Sequence, residues 1–372
     1  MSTIAAFSDL MLSSRGVATS AVGKLALQSS TYRRYLTRLM VAGKDPKKFL
    51  QGGPMLHDYI ALDFASSYQE YSPTSGFNWT ATNSMKKISL PFKYAMVHCT
   101  WFDHEVILSS GDLTTTFKRV KDFKFAEMEL SFWEGREKSL WATPDVVEME
   151  GGTDTGSKWH SLRCYITEDG LAPSSTNGGV VGSNWTTVMG QNPSTYVNWR
   201  NQVENYNPSA VDTTLLRAMD LMWDDVQYES PSNSQQYIQD TDMQRCCILT
   251  NRDGYAMLMD LQRGMNDRAY SKENDLGLVN GAIVYHGIPV KRIGAFEDST
   301  VMTAYPAGSP RFWFVNFNYI YPLYHEDRFL HPIDVNPPTT KPQAHPVAKD
   351  TWGDLWCQSR RQQGIVVPSA TA

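Results

Sequence analysis

Histidines, cysteines and acids are plentiful enough to build a reaction centre or a metal site, so their spacing decides what chemistry is open to the chain. His104 with Glu105, and again His325 with Glu326, begin like the helix of a zinc peptidase. There a second histidine four positions after the first completes the metal pair. Those positions hold Leu108 and Phe329, so neither motif closes. His98, Cys99 and His104 lie close together, but on a strand neighbouring side chains alternate faces, and they read as structural. The five cysteines, Cys99, Cys164, Cys246, Cys247 and Cys357, show no C-x-x-C spacing and are expected as reduced thiols packed like small hydrophobes. Asp224 with Asp225, and Glu326 with Asp327, are the paired carboxylates of acid-base chemistry. Acids at helix ends and in loop ion pairs look the same in sequence. Phosphate-cradling glycine motifs and the G-x-S-x-G nucleophile turn are absent. No catalytic, cofactor-binding or metal-ligating residue is assigned.

Aromatic content leaves one binding chemistry open. With 12% aromatic residues, 11 of them Trp, exposed rings beside Asp224 and Glu229 could stack on sugars and make a carbohydrate-active or carbohydrate-binding protein. That requires the rings to line one open groove next to two carboxylates. A protein built for self-association would bury them at subunit contacts instead, where Trp, Tyr and Arg concentrate.

At 372 residues the chain can bury one large core or two to three modules. A net charge of -5 with 20% charged residues argues against a strongly basic nucleic-acid binder. The balance is uneven: residues 1–60 carry eight Lys or Arg against three acids, a net +5, which leaves -10 for the remainder. No early segment reads as a signal peptide, and no run of about 18 apolar residues could span a bilayer, so no membrane partner is expected.

The elements follow from periodicity. Val22, Leu25, Ala26, Tyr32, Leu36, Leu39 and Met40 sit at helical intervals with Arg33, Arg34 and Arg38 on the polar side, stopped by Gly43 and Pro46. That face is either solvated or an arm against phosphates or an acidic neighbour. Residues 59–107 carry β-type runs at 59–62, 77–80 and 86–102, a long two-stranded excursion whose polar tip at 74–87 cannot pack alone. A proline-free stretch over 112–141 predicts one long helix, with Gly135 able to bend or split it. Residues 145–208 are loop-rich in Gly, Ser, Thr and Asn. Helices are predicted over 213–226 and 253–265, a buried strand over 245–250, paired strands over 281–293 and a single aromatic strand over 312–321. After prolines 337, 338, 342 and 346 the chain re-enters packed structure. There Trp352, Trp356 and residues 365–367 bury apolar area, and Arg360 and Arg361 offer cationic forks to carboxylates on a neighbouring surface.

The order of these pieces resembles the major capsid proteins of tailed bacteriophages with the Hong Kong 97-type fold. The short stretches Gly287-Ile288-Pro289-Val290, Asn318-Tyr319-Ile320-Tyr321-Pro322 and 352–364 carry the likeness. The resemblance implies an α+β chain: an N-terminal arm with a basic helix over 1–58, an E-loop excursion over 59–107 and a peripheral-domain spine helix over 108–144. An axial domain with inserted loops over 145–335 and a C-terminal return to the peripheral domain over 336–372 complete it. It implies a non-enzymatic structural protein that self-assembles as pentamers and hexamers into an icosahedral shell around double-stranded DNA, assembled in the host cytoplasm and found in the virion. A portal protein, a separate scaffolding protein and a cement protein would be its partners, the DNA being held non-specifically. A cellular nanocompartment shell shares the fold and is the alternative. Arg33, Arg34, Arg38, Lys86, Lys87, Trp352, Trp356, Arg360 and Arg361 are the expected inter-subunit contacts. Non-covalent shells are expected, and the basic arm is expected to clasp a neighbouring subunit rather than DNA.

Overall fold

The computed structural model describes residues 36, 48–50, 55–62, 70, 84–103, 113–142, 158–168, 187–227, 246–264, 276–279, 282–298, 310–333 and 343–369. In chain order the strands are β1 (Lys48–Leu50), β2 (Met55–Ala61), β3 (Met85–Pro91), β4 (Lys93–Phe102), β5 (Gln202–Tyr206), β6 (Cys246–Thr250) and β7 (Leu276–Val279). They continue as β8 (Ala282–Tyr285), β9 (Ile288–Arg292), β10 (Phe312–Asn316), β11 (Ile320–Ile333), β12 (Ala344–Cys357) and β13 (Gly364–Pro368). The principal helices are α1 (Leu113–Trp141), α2 (Val211–Val226) and α3 (Arg252–Gly264). The chain divides into two compact units. The described parts of Tyr94–Arg136 and Glu326–Trp352 form one, and those of Arg34–Lys93, Glu137–His325 and Gly353–Ala372 form the other.

The larger unit is organised by a seven-stranded mixed sheet in the order β5-β13-β10-β6-β9-β8-β7. Its centre is apolar on both faces: every residue of β6 and of β10 is buried, as continuous runs of Cys, Ile, Leu, Phe, Trp and Val demand. From α2, Leu215, Ala218, Met219, Met222 and Val226 recur at helical spacing, and with Leu258 of α3 they join Tyr206, Ile248, Phe312 and Val366 in one core. Asn251 caps α3, its Oδ1 accepting the Gly254 N–H at 2.8 Å. The β8–β9 connection is a two-residue turn with φ of 45° at His286 and 80° at Gly287, which suits the twist of a hairpin.

Two strand expectations are corrected. The aromatic run over 312–321 is not one strand. Asn316 accepts the Asn318 N–H on its side chain at 3.0 Å and the Tyr319 N–H on its carbonyl at 3.2 Å, which turns the chain between β10 and β11. The run over 86–102 breaks at Phe92 into β3 and β4, which join different sheets. β2 and β3 pair antiparallel from Met55 opposite Pro91 to Ala61 opposite Met85, the two-stranded ribbon that the excursion predicts. Most of its tip, residues 74–83 with the run at 77–80, lies outside the described residues.

The long helix exists as one element, 29 residues through Gly135 without interruption. At about 1.5 Å per residue it extends over roughly 43 Å. Its C-terminal end belongs to the larger unit, where Trp141 stands edge-on to Phe296 at 4.3 Å and to Trp313 at 5.5 Å. Glu137 is fully buried there, and its Oε1 accepts both the Leu36 N–H at 2.8 Å and the Trp141 indole N–H at 3.2 Å. The smaller unit's strands are β4 from Tyr94, β11 from Glu326 and β12 to Trp352, which belong to a four-stranded sheet in the order β1-β11-β12-β4. In that unit Trp101 stands edge-on to Phe125 of α1 and stacks on His345. Lys349 reaches Glu129 at 3.4 Å and lies over the Phe125 ring.

Candidate functional site

The C-terminal residues singled out by sequence serve the interior of the larger unit. Arg360, expected at a carboxylate of a neighbouring surface, is fully buried within its own chain. Its Nε donates to the Tyr165 carbonyl at 2.8 Å, Nη1 to the Trp199 carbonyl at 2.9 Å and Nη2 to Asn201 Oδ1 at 3.1 Å. The guanidinium fork therefore ties its own segment to two others, at Tyr165 and at 199–201, and burial pulls its pKa down to about 10, still cationic at neutral pH. Trp356 is 2% exposed and is likewise an interior residue, not a contact surface. Beside them His160 Nδ1 meets Asp354 Oδ2 at 2.5 Å, while Asp354 Oδ1 takes the His160 and Leu355 N–H groups. Tyr165 donates its hydroxyl to the Leu355 carbonyl at 2.6 Å, and burial, then the Asp354 charge, raises its pKa well above the ordinary value. Arg361 is exposed and donates to Asn198 Oδ1 at 3.4 Å.

The β2–β3 ribbon alternates strictly. Leu56, Ile88 and Leu90 are buried, while Tyr59 at 61% and Met85 at 57% are exposed on the opposite face. Tyr59 stands directly across from Lys87, so one side of the ribbon offers an aromatic ring, a thioether and a cation together. Lys87 is exposed there, whereas Lys86 lies over the Tyr196 ring at 5.8 Å. Arg33, Arg34 and Arg38 lie outside the described residues.

In the smaller unit, residues of β4 at even positions turn away from the face that Trp101 shares with α1. Tyr94 is 62% and Met96 65% exposed. Trp352 meets Tyr94 edge-on at 5.1 Å, and Arg328 lies over the Trp352 indole at 5.0 Å while reaching Asp350 at 3.4 Å. Tyr94, Trp352 and Arg328 thus form an aromatic and cationic row across β4, β12 and β11, with Met96 beside it. This row carries no pattern that sequence could have revealed, because Tyr94 lies more than 200 residues before Arg328 and Trp352.

Catalytic geometry is not found among the described residues. No group of three or more His, Cys, Asp or Glu side chains there is arranged to hold a metal. Glu204 and Asp225 both have raised pKa values. Burial is the main cause for each, followed by the Asp225 charge acting on Glu204 and the Asp224 charge acting on Asp225, which Arg361 partly offsets. His286 stacks on Trp223 at 5.2 Å and bonds Asp220 at 3.2 Å, which covers the ring face that a sugar would need. Trp141, Trp199 and Trp313 are fully buried, while Trp133, Trp223 and Trp352 are partly so. Glu229, the second carboxylate that a carbohydrate site would need, lies outside the described residues.

No protein-family model and no curated protein sequence matches the chain. Among solved structures it is similar to a chain of the cyanophage A-1(L) capsid asymmetric unit, with 14% identity and a TM-score of 0.54 over 87% of this chain and 90% of that one. It is also similar to a chain of the bacteriophage PhiM1 mature capsid asymmetric unit, at 7% identity and a TM-score of 0.50, covering 93% of this chain and 90% of that one. The likeness shows the fold, a mixed α/β fold of the Hong Kong 97 type.

Proposed function

We propose that this chain, with its Hong Kong 97-type fold, is the major capsid protein of a tailed bacteriophage, a structural subunit that self-assembles into a closed icosahedral shell around double-stranded DNA. The observation that carries this reading is the pair of open apolar faces on sheets whose other faces are packed. Contiguous exposed apolar patches mark sites of association, whereas a single exposed hydrophobic is ordinary. Here Tyr59 and Met85 on the ribbon and Tyr94 and Met96 on the smaller unit's sheet are all more than half exposed. Each lies beside a cation, Lys87 or Arg328, as in interfaces built on Tyr, Trp, Met and Arg.

Lys87, Trp352 and Arg361 are surface groups available to a neighbouring copy, and Arg33, Arg34 and Arg38 would clasp one through the arm. Arg360 and Trp356 instead hold each subunit's C-terminal strand. The subunit carries out no reaction, and portal, scaffolding and cement proteins would be its partners. Expression with the neighbouring genes, followed by sedimentation and negative-stain microscopy, tests this function. Closed particles of megadalton mass with uniform diameter are expected. A discrete monomer at high concentration, with a hydrolase activity lost on changing Asp224, would overturn it.

A further inference from the structure

A two-stranded ribbon is marginal alone in water, and β2–β3 has a support outside its own strands. Residues 187–199 fold on themselves. Val188 and Gln191 exchange backbone hydrogen bonds at 2.8 and 3.1 Å around Met189 and Gly190, whose φ values of 54° and 84° make a tight turn. This segment is anchored. Val188 and Met189 are buried, Trp199 is buried with its Nε1 donating to the Val188 carbonyl at 3.1 Å, and Arg360 holds the Trp199 carbonyl from below.

From that anchor several groups reach the ribbon. The Met189 carbonyl accepts the Ser89 N–H at 3.3 Å, Gln191 Nε2 donates to the Lys87 carbonyl at 2.8 Å, and Asn198 Nδ2 donates to the Leu62 carbonyl at 3.0 Å. Ser84 accepts the Leu62 N–H across the ribbon. By the alternation of strand amides, Lys87 and Ser89 then turn their polar groups outward, to the edge that the segment covers. The segment therefore covers part of an otherwise open edge, through one backbone hydrogen bond to Ser89 and one side-chain hydrogen bond to the Lys87 carbonyl.

We propose that residues 187–199 are a strut that fixes the direction in which the β2–β3 ribbon leaves the larger unit, and that Gln191 and Asn198 are positioning residues for assembly. The assembly part rests on the shell function proposed above; the local part does not. The seven residues of β2 span roughly 23 Å at about 3.3 Å per residue, so a tilt of about 10° at the root moves the far end by roughly 4 Å. A contact made there on a neighbouring copy is lost at that displacement, since side chains touch only within about 4.5 Å.

The test is the double variant Gln191→Glu with Asn198→Asp, which keeps side-chain shape and replaces both donors with acceptors; the single variants serve if the pair does not fold. Hydrogen exchange read by mass spectrometry on peptides covering residues 85–91 should quicken at least tenfold. Exchange in β6 and β10 should stay unchanged, and particles should become irregular or mixed in diameter. Unchanged exchange at 85–91 would refute the strut. Faster exchange with particles of normal, uniform diameter would refute the positioning role. Should the unaltered protein form no shells, the proposed function fails, while the exchange measurement still decides the strut.

Discussion

Replacing Arg360 with Met tests whether the C-terminal segment is an internal lock. Methionine fills much of the same space but donates nothing. The Tyr165 and Trp199 carbonyls, bonded at 2.8 and 2.9 Å, then lose a buried donor. Asn201 Oδ1 keeps the Thr167 N–H and hydroxyl, each at 3.2 Å, so it adds little. An acceptor stranded in the interior costs about 1–3 kcal/mol, and two of them put the loss at about 2–6 kcal/mol. Against a total stability of about 5–15 kcal/mol, that is a large fraction. Urea denaturation of unassembled subunits, followed by tryptophan fluorescence, should show a much lower midpoint with the slope unchanged. Arg360→Lys should fall between, because one ammonium cannot span three acceptors fixed by a planar fork. A loss under about 1 kcal/mol for Arg360→Met would mean that the carbonyls find other donors. The lock would then be refuted.

Gly353→Ala should lower the melting temperature sharply, because an added Cβ would sit 2.2 Å from the Leu323 carbonyl oxygen and 3.0 Å from Trp159 and Tyr324, and backbone cannot step aside as a flexible side chain can; differential scanning fluorimetry reads it. Glu204→Gln should flatten the pH dependence of stability. A carboxyl with a raised folded-state pKa contributes most below its unfolded value of about 4.3 and loses that contribution as pH rises through the folded value. The variant should therefore gain on the unaltered protein at pH 7 and not at pH 4, as compared by urea midpoints. Tyr94→Ser with Met96→Ser should leave the subunit's melting curve within a few degrees while cutting particle yield severely, measured by sedimentation, because both side chains are already exposed in the single chain.

What sequence could show was local. The helix over 113–141 was legible because no proline interrupts it, and Gly135, which sequence left able to split it, does not. The helices over 211–226 and 252–264 were legible from their periodic apolar residues. The break at Asn316 to Tyr319 was masked by aromatics on both sides, though Asn316 and Asn318 two apart are a recognisable turn signal. Arg360 was misplaced for a different reason. Charge predicts a surface, and only its partners, 159 to 195 residues away in sequence, show that the fork binds neutral oxygens in the interior. The strut over 187–199 read as loop because its order comes from Trp199 and Arg360 rather than from its own composition. Tyr94, Trp352 and Arg328 come together only through the pairing of distant strands.

Electron cryomicroscopy of particles purified after expression with the neighbouring genes tests the shell assignment most directly. The account predicts closed icosahedral shells in which Tyr59 and Met85 of the ribbon and Tyr94 and Met96 of the smaller unit are covered by adjacent copies, while Arg360 keeps its bonds within each subunit. Discrete monomers, or shells in which both apolar faces remain open to solvent, would contradict it.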